Sequence, residues 1–125
     1  MDEVLFKSEV FAIQGAIFEV NREMGAGFLE AVYRKCLARE FTCRNIPFEE
    51  HKQFPVTYKG EPLGQTYQTD FVCYGEIIIE LKACQDISPA HRAQVINYLK
   101  ASKLRLGLLV NFGSFPKAQV ERIIL

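Results

Sequence analysis

The sequence predicts a mixed α/β (α+β) fold in which helices flank one sheet of four to five strands. Apolar residues recur with helical spacing in the first 45 residues and again around residue 95, whereas short runs separated by turn residues fill positions 48 to 82. The length of 125 residues and the hydrophobic share of 49% fit a single domain spanning residues 1–125.

Two helices are predicted to begin the chain. The first covers Ser8–Met24, because one apolar stripe repeats there at spacings of three and four residues. Gly25–Gly27 ends it, and a second helix begins near Phe28 and stops before Asn45 and Pro47. The predicted core-facing residues are Val10, Ile13, Ile17, Val20 and Met24 in the first helix, and Leu29, Val32, Tyr33, Cys36, Leu37 and Phe41 in the second.

An antiparallel meander of three strands is predicted to follow the helices. The first strand covers Phe48–Tyr58, and the turn Lys59–Pro62 leads into a second strand at Gln65–Cys73. The turn at Tyr74-Gly75 then leads into a third strand at Glu76–Ala83.

A third helix and a buried strand complete the predicted sheet. Ser88 and Pro89 supply an N-cap and a first-turn proline for a helix that extends to about Ser102. Leu106–Phe112 is an apolar run typical of a strand covered on both faces. The order strand, helix, strand predicts a crossover, so this fourth strand should lie parallel to the third. Gln119–Leu125 is predicted to add a short edge strand.

Composition and charge limit the cellular location and the partners that are expected for the domain. No apolar run approaches the roughly 18 residues of a membrane span, and the acidic start Met1-Asp2-Glu3 is unlike a secretory signal, so we expect a cytoplasmic protein without a membrane partner. The four cysteines lack zinc-ligand spacing and are expected to be reduced thiols. The 15 basic and 15 acidic residues balance, but residues 1–81 hold 13 acids and 8 bases, whereas residues 82–125 hold 2 acids and 7 bases. The basic C-terminal third is a candidate phosphate-facing surface.

The most informative polar pattern lies in the predicted third strand. Strand alternation places Glu80 and Lys82 on one face, which is also what a half-buried strand with a solvated charged face would show. The position of Asp70, on the neighbouring strand, decides between this interpretation and a metal-binding site. A two-residue turn would pair Asp70 with Ile79, whereas a three-residue turn or a bulge would place it on the face of Glu80. We predict the odd count, which brings both carboxylates within reach of one ion.

Two carboxylates and a lysine on one sheet face suit phosphodiester chemistry. Mg²⁺ prefers carboxylate oxygens and keeps several waters, so it can polarise a phosphodiester and lower the pKa of a water. Lys82 would orient that water or offset charge on the phosphate. Glu30, in the first turn of the second helix, is a candidate third carboxylate. As a simple helix-start acid, it would instead form an ion pair with Arg34.

The third helix adds further polar candidates. Gln94 and Tyr98 lie one turn apart, on a flank of the core stripe formed by Val95, Ile96 and Leu99. They are either the solvated side of an amphipathic helix or a pair that hydrogen-bonds a phosphate or orients Glu80 and Lys82. His91, one turn before Gln94, is predicted to support these residues without contacting the reacting groups itself.

Together these residues resemble the PD-(D/E)XK nuclease superfamily and, within it, the small GxxExxY family. Gly27-x-x-Glu30-x-x-Tyr33 is similar to the name motif of that family, Asp70 with Glu80-Leu81-Lys82 to the D…ExK core, and Gln94-x-x-x-Tyr98 to the QxxxY element of the RecB-like and lambda-exonuclease-like branch. The resemblance extends from Ile13 to Ile124. Thr69 stands where the superfamily pattern has a proline, a change that affects hairpin geometry and leaves the charged motif positions intact.

The resemblance implies a restriction-endonuclease-like α-β-β-β-α-β core and a Mg²⁺ site in which Mn²⁺ can substitute. It implies that the metal ligands are Glu30, Asp70, Glu80 and the carbonyl of Leu81, that Lys82 is the catalytic lysine, and that Gln94 and Tyr98 support it.

The leading hypothesis is therefore a Mg²⁺-dependent nuclease that hydrolyses DNA or RNA with a metal-activated water. A non-catalytic module that binds nucleic acid or protein in the same groove, or a phosphoesterase acting on small nucleotides, remains an alternative. A homodimer is expected, because a minimal nuclease gains grip on its substrate by oligomerising. The net charge of zero predicts weak, salt-sensitive binding of nucleic acid.

Overall fold

The computed structural model describes residues 5–125 and contains, within them, three helices and seven strands. The helices are α1 (Lys7–Met24), α2 (Glu30–Cys43) and α3 (Pro89–Ser102). The strands are β1 (Phe48–Glu50), β2 (Gln53–Tyr58), β3 (Glu61–Gln68), β4 (Phe71–Cys73), β5 (Ile77–Lys82), β6 (Leu106–Asn111) and β7 (Gln119–Ile124). None of the helices in this part of the chain is long and apolar enough to cross a membrane.

Five strands form one mixed sheet in the order β1-β4-β5-β6-β7. β5 and β6 are parallel, with Ile77 opposite Leu106 and Lys82 opposite Asn111, whereas the other three neighbouring pairs are antiparallel. The predicted α/β (α+β) class, the parallel crossover through α3 and the C-terminal edge strand are therefore confirmed.

Helices cover both faces of the sheet. α1 and α2 pack on the face that carries Ile77, Ile79 and Leu81, and α3 packs on the face that carries Val72 and Ile78. The predicted alternation along β5 is correct, but both of its faces are buried. A solvated charged face on this strand is therefore excluded, and its polar residues need partners inside the protein.

The first two predicted strands are each interrupted. Phe48–Tyr58 is divided into β1 and β2, and Gln65–Cys73 is divided between β3 and β4. The inner halves, β1 and β4, pair within the main sheet, whereas β2 and β3 form a separate two-stranded ribbon. The prediction of a continuous meander was wrong for this outer half of the hairpin.

Local backbone geometry and packing explain the break. His51 follows β1 with a left-handed φ of 53°, which turns the chain out of the sheet. Thr69 N–H donates to the Lys52 carbonyl at 3.0 Å and so maintains the pairing across the bend. Beyond it, Phe54 and Tyr67 of the ribbon pack against the apolar side of α3. The ribbon thus buries its larger side chains on a helix, which sequence periodicity alone does not reveal.

α2 begins two residues later than predicted. Gly27 adopts a φ of 113°, which L-residues with a side chain rarely adopt, and the chain becomes helical only at Glu30. Leu29, predicted to face the core, is the N-cap residue and is 78% exposed. The buried side of α2 consists of Tyr33, Leu37 and Phe41.

α3 has the predicted boundaries but a rotated core stripe. Val95 and Leu99 are buried as expected, whereas Ile96 is only partly buried. Tyr98, predicted on the polar flank, is buried, and its ring lies 4.9 Å from that of Tyr67 in the ribbon. The ribbon covers this flank of the helix and so moves Tyr98 into the interior.

Candidate active site

The turn between β4 and β5 places Asp70 beside Glu80. Phe71 pairs with Ile79 in the antiparallel ladder, so the next position along it joins Asp70 and Glu80. The turn itself comprises the three residues Tyr74–Glu76. The predicted odd count is confirmed, and the two carboxylates share one region of the sheet.

Both carboxylates are nearly buried and hydrogen-bonded to the backbone. Asp70 is 9% exposed and Glu80 is 4% exposed. Asp70 N–H donates to Glu80 Oε1 at 2.8 Å, and Leu81 N–H donates to Asp70 Oδ2 at 2.8 Å. These bonds fix the position of each acid relative to the strands.

The surroundings of Glu80 disfavour its ionised form. Burial and, second, the negative charge of Asp70 raise the pKa of this carboxyl to about 8. The hydrogen bond from Asp70 N–H and the positive charge of Lys82 act in the opposite direction. Because burial disfavours the ionised carboxylate, Glu80 keeps its proton to a higher pH, and a cation that binds there would displace that proton.

Arg34 supplies one positive charge to the pair. Its Nε lies 3.1 Å from Asp70 Oδ1, with side-chain exposures of 21% and 12%. The sequence suggested Glu30, one turn earlier on α2, as the partner of Arg34, and that interpretation was wrong. Asp70 is 36 residues away in the chain, and the packing of α2 beside the sheet brings the two together. Sequence reasoning therefore missed Arg34 as a site residue.

Lys82, Gln94 and Tyr98 form one hydrogen-bonded chain. Lys82 Nζ donates to Gln94 Oε1 at 2.8 Å, and Gln94 Nε2 donates to Tyr98 Oη at 3.2 Å. Burial raises the pKa of the Tyr98 phenol, and the negative charges of Glu80 and Asp70 add to this effect. The structure thus brings together the residues that the sequence analysis assigned to support Lys82.

Glu30 stands at the start of α2, next to a loop fixed by Tyr33. The Tyr33 hydroxyl donates to the Gly25 carbonyl at 2.5 Å and accepts the Phe28 N–H at 3.2 Å. Its ring stacks on Phe112 at a centroid distance of 4.5 Å. The tyrosine of the Gly27, Glu30 and Tyr33 motif therefore fixes the loop that leads into Glu30, the first residue of α2.

Glu30 is within electrostatic reach of the paired acids. Its pKa is raised chiefly by burial and then by the negative charge of Asp70, whereas Lys82 and Arg34 lower it. The three acids nevertheless do not form a closed cluster. Within residues 5–125, no group of three or more His, Cys, Asp or Glu side chains is spaced to hold a metal ion.

The donor chemistry fits a hard divalent cation. Asp70 and Glu80 offer paired carboxylate oxygens, and a bound dication would offset the burial and the Asp70 charge that disfavour the ionised form of Glu80. Occupancy would require Asp70 to exchange Arg34 for the ion and Glu30 to approach the pair.

Two further polar residues organise the ends of the elements around the site. Asn111, at the end of β6, accepts N–H groups of Cys84 and Gly113 at Oδ1 and donates to the Cys84 carbonyl, with all three distances between 2.9 and 3.0 Å. The sequence feature that could have identified Asn111 is its place as a polar residue inside an apolar run. His91 Nδ1 accepts the Ser88 N–H at 3.1 Å in a capping box, so the imidazole stabilises the start of α3.

An open groove of about 670 Å³ lies beside these residues. The groove is lined by the loop Ala26–Leu29 with Glu30 and by Ala83–Gln85 with Gly113. Glu30, whose pKa is affected by the charges of Asp70 and Lys82, is the candidate site residue that lines the groove.

Comparison with known proteins gives two matches. Residues 7–123 match the family model of the PD-(D/E)XK nuclease superfamily. The crystal structure of SSO0001 resembles this chain with a TM-score of 0.51 at 12% sequence identity, over 97% of this chain and 78% of that one, which is a likeness of fold. No curated protein matches the chain in sequence.

Proposed function

The chain belongs to the PD-(D/E)XK nuclease superfamily, and we propose from this premise that it is a Mg²⁺-dependent nuclease that hydrolyses phosphodiester bonds of DNA or RNA. The observation that carries the proposal is the buried Asp70–Glu80 pair with Lys82 two residues further along β5. The finer assignment to the GxxExxY family rests on Gly27, Glu30 and Tyr33, whose spacing has a clear structural role in the loop before α2.

The proposed metal ligands are Asp70, Glu80, Glu30 and the Leu81 carbonyl, with Mn²⁺ able to replace Mg²⁺. When bound, the ion would polarise a phosphodiester oxygen and lower the pKa of the attacking water. The protein holds Asp70 and Glu80 in place through the backbone N–H groups of Leu81 and Asp70, respectively, so the change that metal binding requires of this pair is the release of Arg34 from Asp70.

Lys82 is the proposed catalytic lysine. Gln94 accepts one of its N–H groups, and Tyr98 accepts an N–H of the Gln94 amide, so two residues of α3 fix the position of the ammonium. Lys82 and Glu80 lie on the same strand, β5. From this position, it would orient the attacking water or stabilise charge that develops on the phosphate. Gln94 and Tyr98 act through Lys82 and are positioning residues.

A non-catalytic binding module is a second candidate, and the Arg34–Asp70 ion pair favours it. An arginine that already neutralises Asp70 at 3.1 Å removes part of the need for a metal ion. Such a module would bind nucleic acid in the presence of EDTA and would not cleave it.

The decisive experiment is a Mg²⁺-dependent cleavage assay on single- and double-stranded DNA and RNA. We expect Glu80→Ala and Lys82→Ala to lower the cleavage rate by about 100-fold or more, because each removes charge stabilisation at the reacting phosphate. Glu76→Ala is the matched control, since Glu76 lies exposed in the turn before β5. Wild-type cleavage that survives both site substitutions unchanged would refute the assignment.

Three further predictions belong to the same proposal. We propose a homodimer, a cytoplasmic location and one functional domain over residues 1–125. Light scattering after gel filtration tests the first, and a mass near that of the 14.3 kDa monomer would contradict it.

A further inference from the structure

The loop between α1 and α2 presents two large apolar side chains next to the candidate site. Phe28 is 45% exposed and Leu29 is 78% exposed, and both precede Glu30 directly. Exposed apolar side chains occur elsewhere on the surface, but these two line the groove, where an apolar surface beside polar groups suits a ligand.

Phe28 is held in place before any ligand arrives. Its ring contacts Tyr33 edge to face, with centroids 6.0 Å apart and an interplanar angle of 86°. Its backbone N–H donates to the Tyr33 hydroxyl, which also bonds the Gly25 carbonyl. A ring fixed in this way loses little conformational entropy when a flat ligand stacks on it.

The groove beside Phe28 shares Glu30 with the candidate site. Glu30 lines the groove and lies within electrostatic reach of Asp70 and Lys82, and Ala83, the residue after Lys82, lines it as well. A nucleic-acid strand that has a phosphate at Glu80 and Lys82 and runs past Glu30 would have its neighbouring nucleotide at this groove. Gln85, which also lines the groove, adds an amide that can both donate and accept hydrogen bonds.

We propose that this groove binds an unpaired nucleobase adjacent to the scissile phosphate, stacked on the ring of Phe28. Aromatic side chains bind bases of DNA or RNA by stacking with little sequence preference. A base inside a duplex is stacked on its neighbours and cannot occupy the groove, so the substrate class is single-stranded or frayed nucleic acid. This inference rests on the proposed nuclease function and assigns a substrate class to the same site.

The test measures binding separately from cleavage. Lys82→Ala protein is titrated with Mg²⁺ and a single-stranded oligonucleotide that carries 2-aminopurine at successive positions, and both affinity and fluorescence are recorded. We expect fluorescence quenching at one position, and Phe28→Ala in the same background should abolish the quenching and weaken binding by about 5- to 150-fold, the range found for one base–aromatic stack. The matched control is Phe11→Ala, which removes a phenylalanine that is 78% exposed on α1 and outside the groove.

A second measurement leaves the loop unaltered. An abasic nucleotide at the quenched position should weaken binding to the Lys82→Ala protein by the same factor as Phe28→Ala, and should have no further effect on the protein that carries both substitutions. The inference is overturned if the abasic substrate binds normally and Phe28→Ala behaves like Phe11→Ala. If wild-type protein cleaves nucleic acid but these comparisons show no effect, only the inference fails. If wild-type protein neither binds nor cleaves any nucleic acid, the proposed function fails with it.

Discussion

At the residue scale, the site contains two buried acids but only one positively charged side chain that is bonded directly to them. Asp70 and Glu80 are buried together, and Arg34 is bonded directly to one of them. Lys82 instead donates to the neutral amide of Gln94. Ionising both acids at once is therefore unfavourable, and this makes the response to pH and to cations measurable.

Glu80 gives the pH prediction. Its pKa is raised from 4.5 to about 8, so the folded state holds a proton more tightly than the unfolded state does. The stabilisation is complete below about pH 4.5 and is lost as pH rises through about 8, with a total change on the order of a few kcal/mol. In EDTA, the Tm of the wild-type protein should fall across this range relative to that of Glu80→Gln, whose amide does not titrate.

Glu76→Gln provides the control for the pH series, because Glu76 lies exposed in the turn before β5. Its Tm profile should follow that of the wild type. A wild-type profile parallel to that of Glu80→Gln between pH 4.5 and 8 would mean that Glu80 ionises normally.

Arg34 gives a prediction about cation binding. The guanidinium occupies Asp70 Oδ1 at 3.1 Å, so a divalent ion must compete with it for that oxygen. Arg34→Gln should bind Mn²⁺ about 5-fold more tightly in isothermal titration calorimetry without nucleic acid, since a partly buried ion pair of this kind contributes about 1 kcal/mol. The same variant should have a lower Tm in EDTA.

Arg44→Gln is the matched control for Arg34. Arg44 pairs with Glu40 at 2.7 Å near the other end of α2, so its loss should leave Mn²⁺ affinity unchanged. Unchanged or weaker Mn²⁺ binding by Arg34→Gln would show that the arginine and the ion do not compete.

At the scale of secondary-structure elements, the site depends on how strand ends are held together. Lys82 ends β5 directly beside Asn111, which ends β6. The Asn111 side chain bonds the backbone on both sides of this junction, at Cys84 and at Gly113. A Cβ on Gly113 would lie 2.2 Å from the Cys84 carbonyl oxygen, so the two segments approach too closely for any other residue.

Asn111→Ala should therefore destabilise the protein by about 3 kcal/mol, because it leaves buried backbone groups without partners. Chemical denaturation monitored by circular dichroism measures this change. Asn97→Ala, on the exposed side of α3, should change stability by less than about 0.5 kcal/mol. Similar stabilities for the two variants would contradict a structural role for the Asn111 amide.

At the scale of the whole molecule, the bases of the C-terminal third are spread over the fold. Lys82 lies in the site, whereas Lys103 and Arg105 lie near Leu106, which pairs with Ile77 at the opposite end of β5, about 17 Å along the strand. Three further bases have partners of their own: Arg92 pairs with Glu121, Lys117 lies over the Phe18 ring, and Arg122 donates to the Leu5 carbonyl. Strand direction therefore separates two of the bases from the site, and a phosphate-facing surface formed by this third stays a prediction.

Nucleic-acid binding should consequently involve few phosphate contacts. For about three contacts to a single strand, the slope of log affinity against log salt concentration should be about −2. Lys82→Gln should reduce the magnitude of this slope by about 0.7, whereas Lys103→Gln should leave it unchanged. A slope steeper than about −5 would indicate an extended cationic surface instead.

The sequence by itself determined the order of helices and strands, except for the division of the first two predicted strands between the main sheet and the ribbon. The helical spacing of α1, the Ser88-Pro89 start of α3 and the apolar run of β6 are local patterns, and local patterns report propensity and burial directly. The sequence also predicted an odd count between the strands, from a three-residue turn or a bulge, and the structure has the three-residue turn that places Asp70 on the face of Glu80.

Only the tertiary structure decided what the polar residues contact. The Arg34–Asp70 ion pair, the break at His51, the burial of Tyr98 and the exposure of Phe28 all arise from elements that are distant in the chain or from a single backbone angle. Periodicity shows which side of an element is apolar, but it does not show which neighbour covers that side. The acids and the lysine could be read from the sequence, whereas their counter-charge and the groove beside them depend on packing.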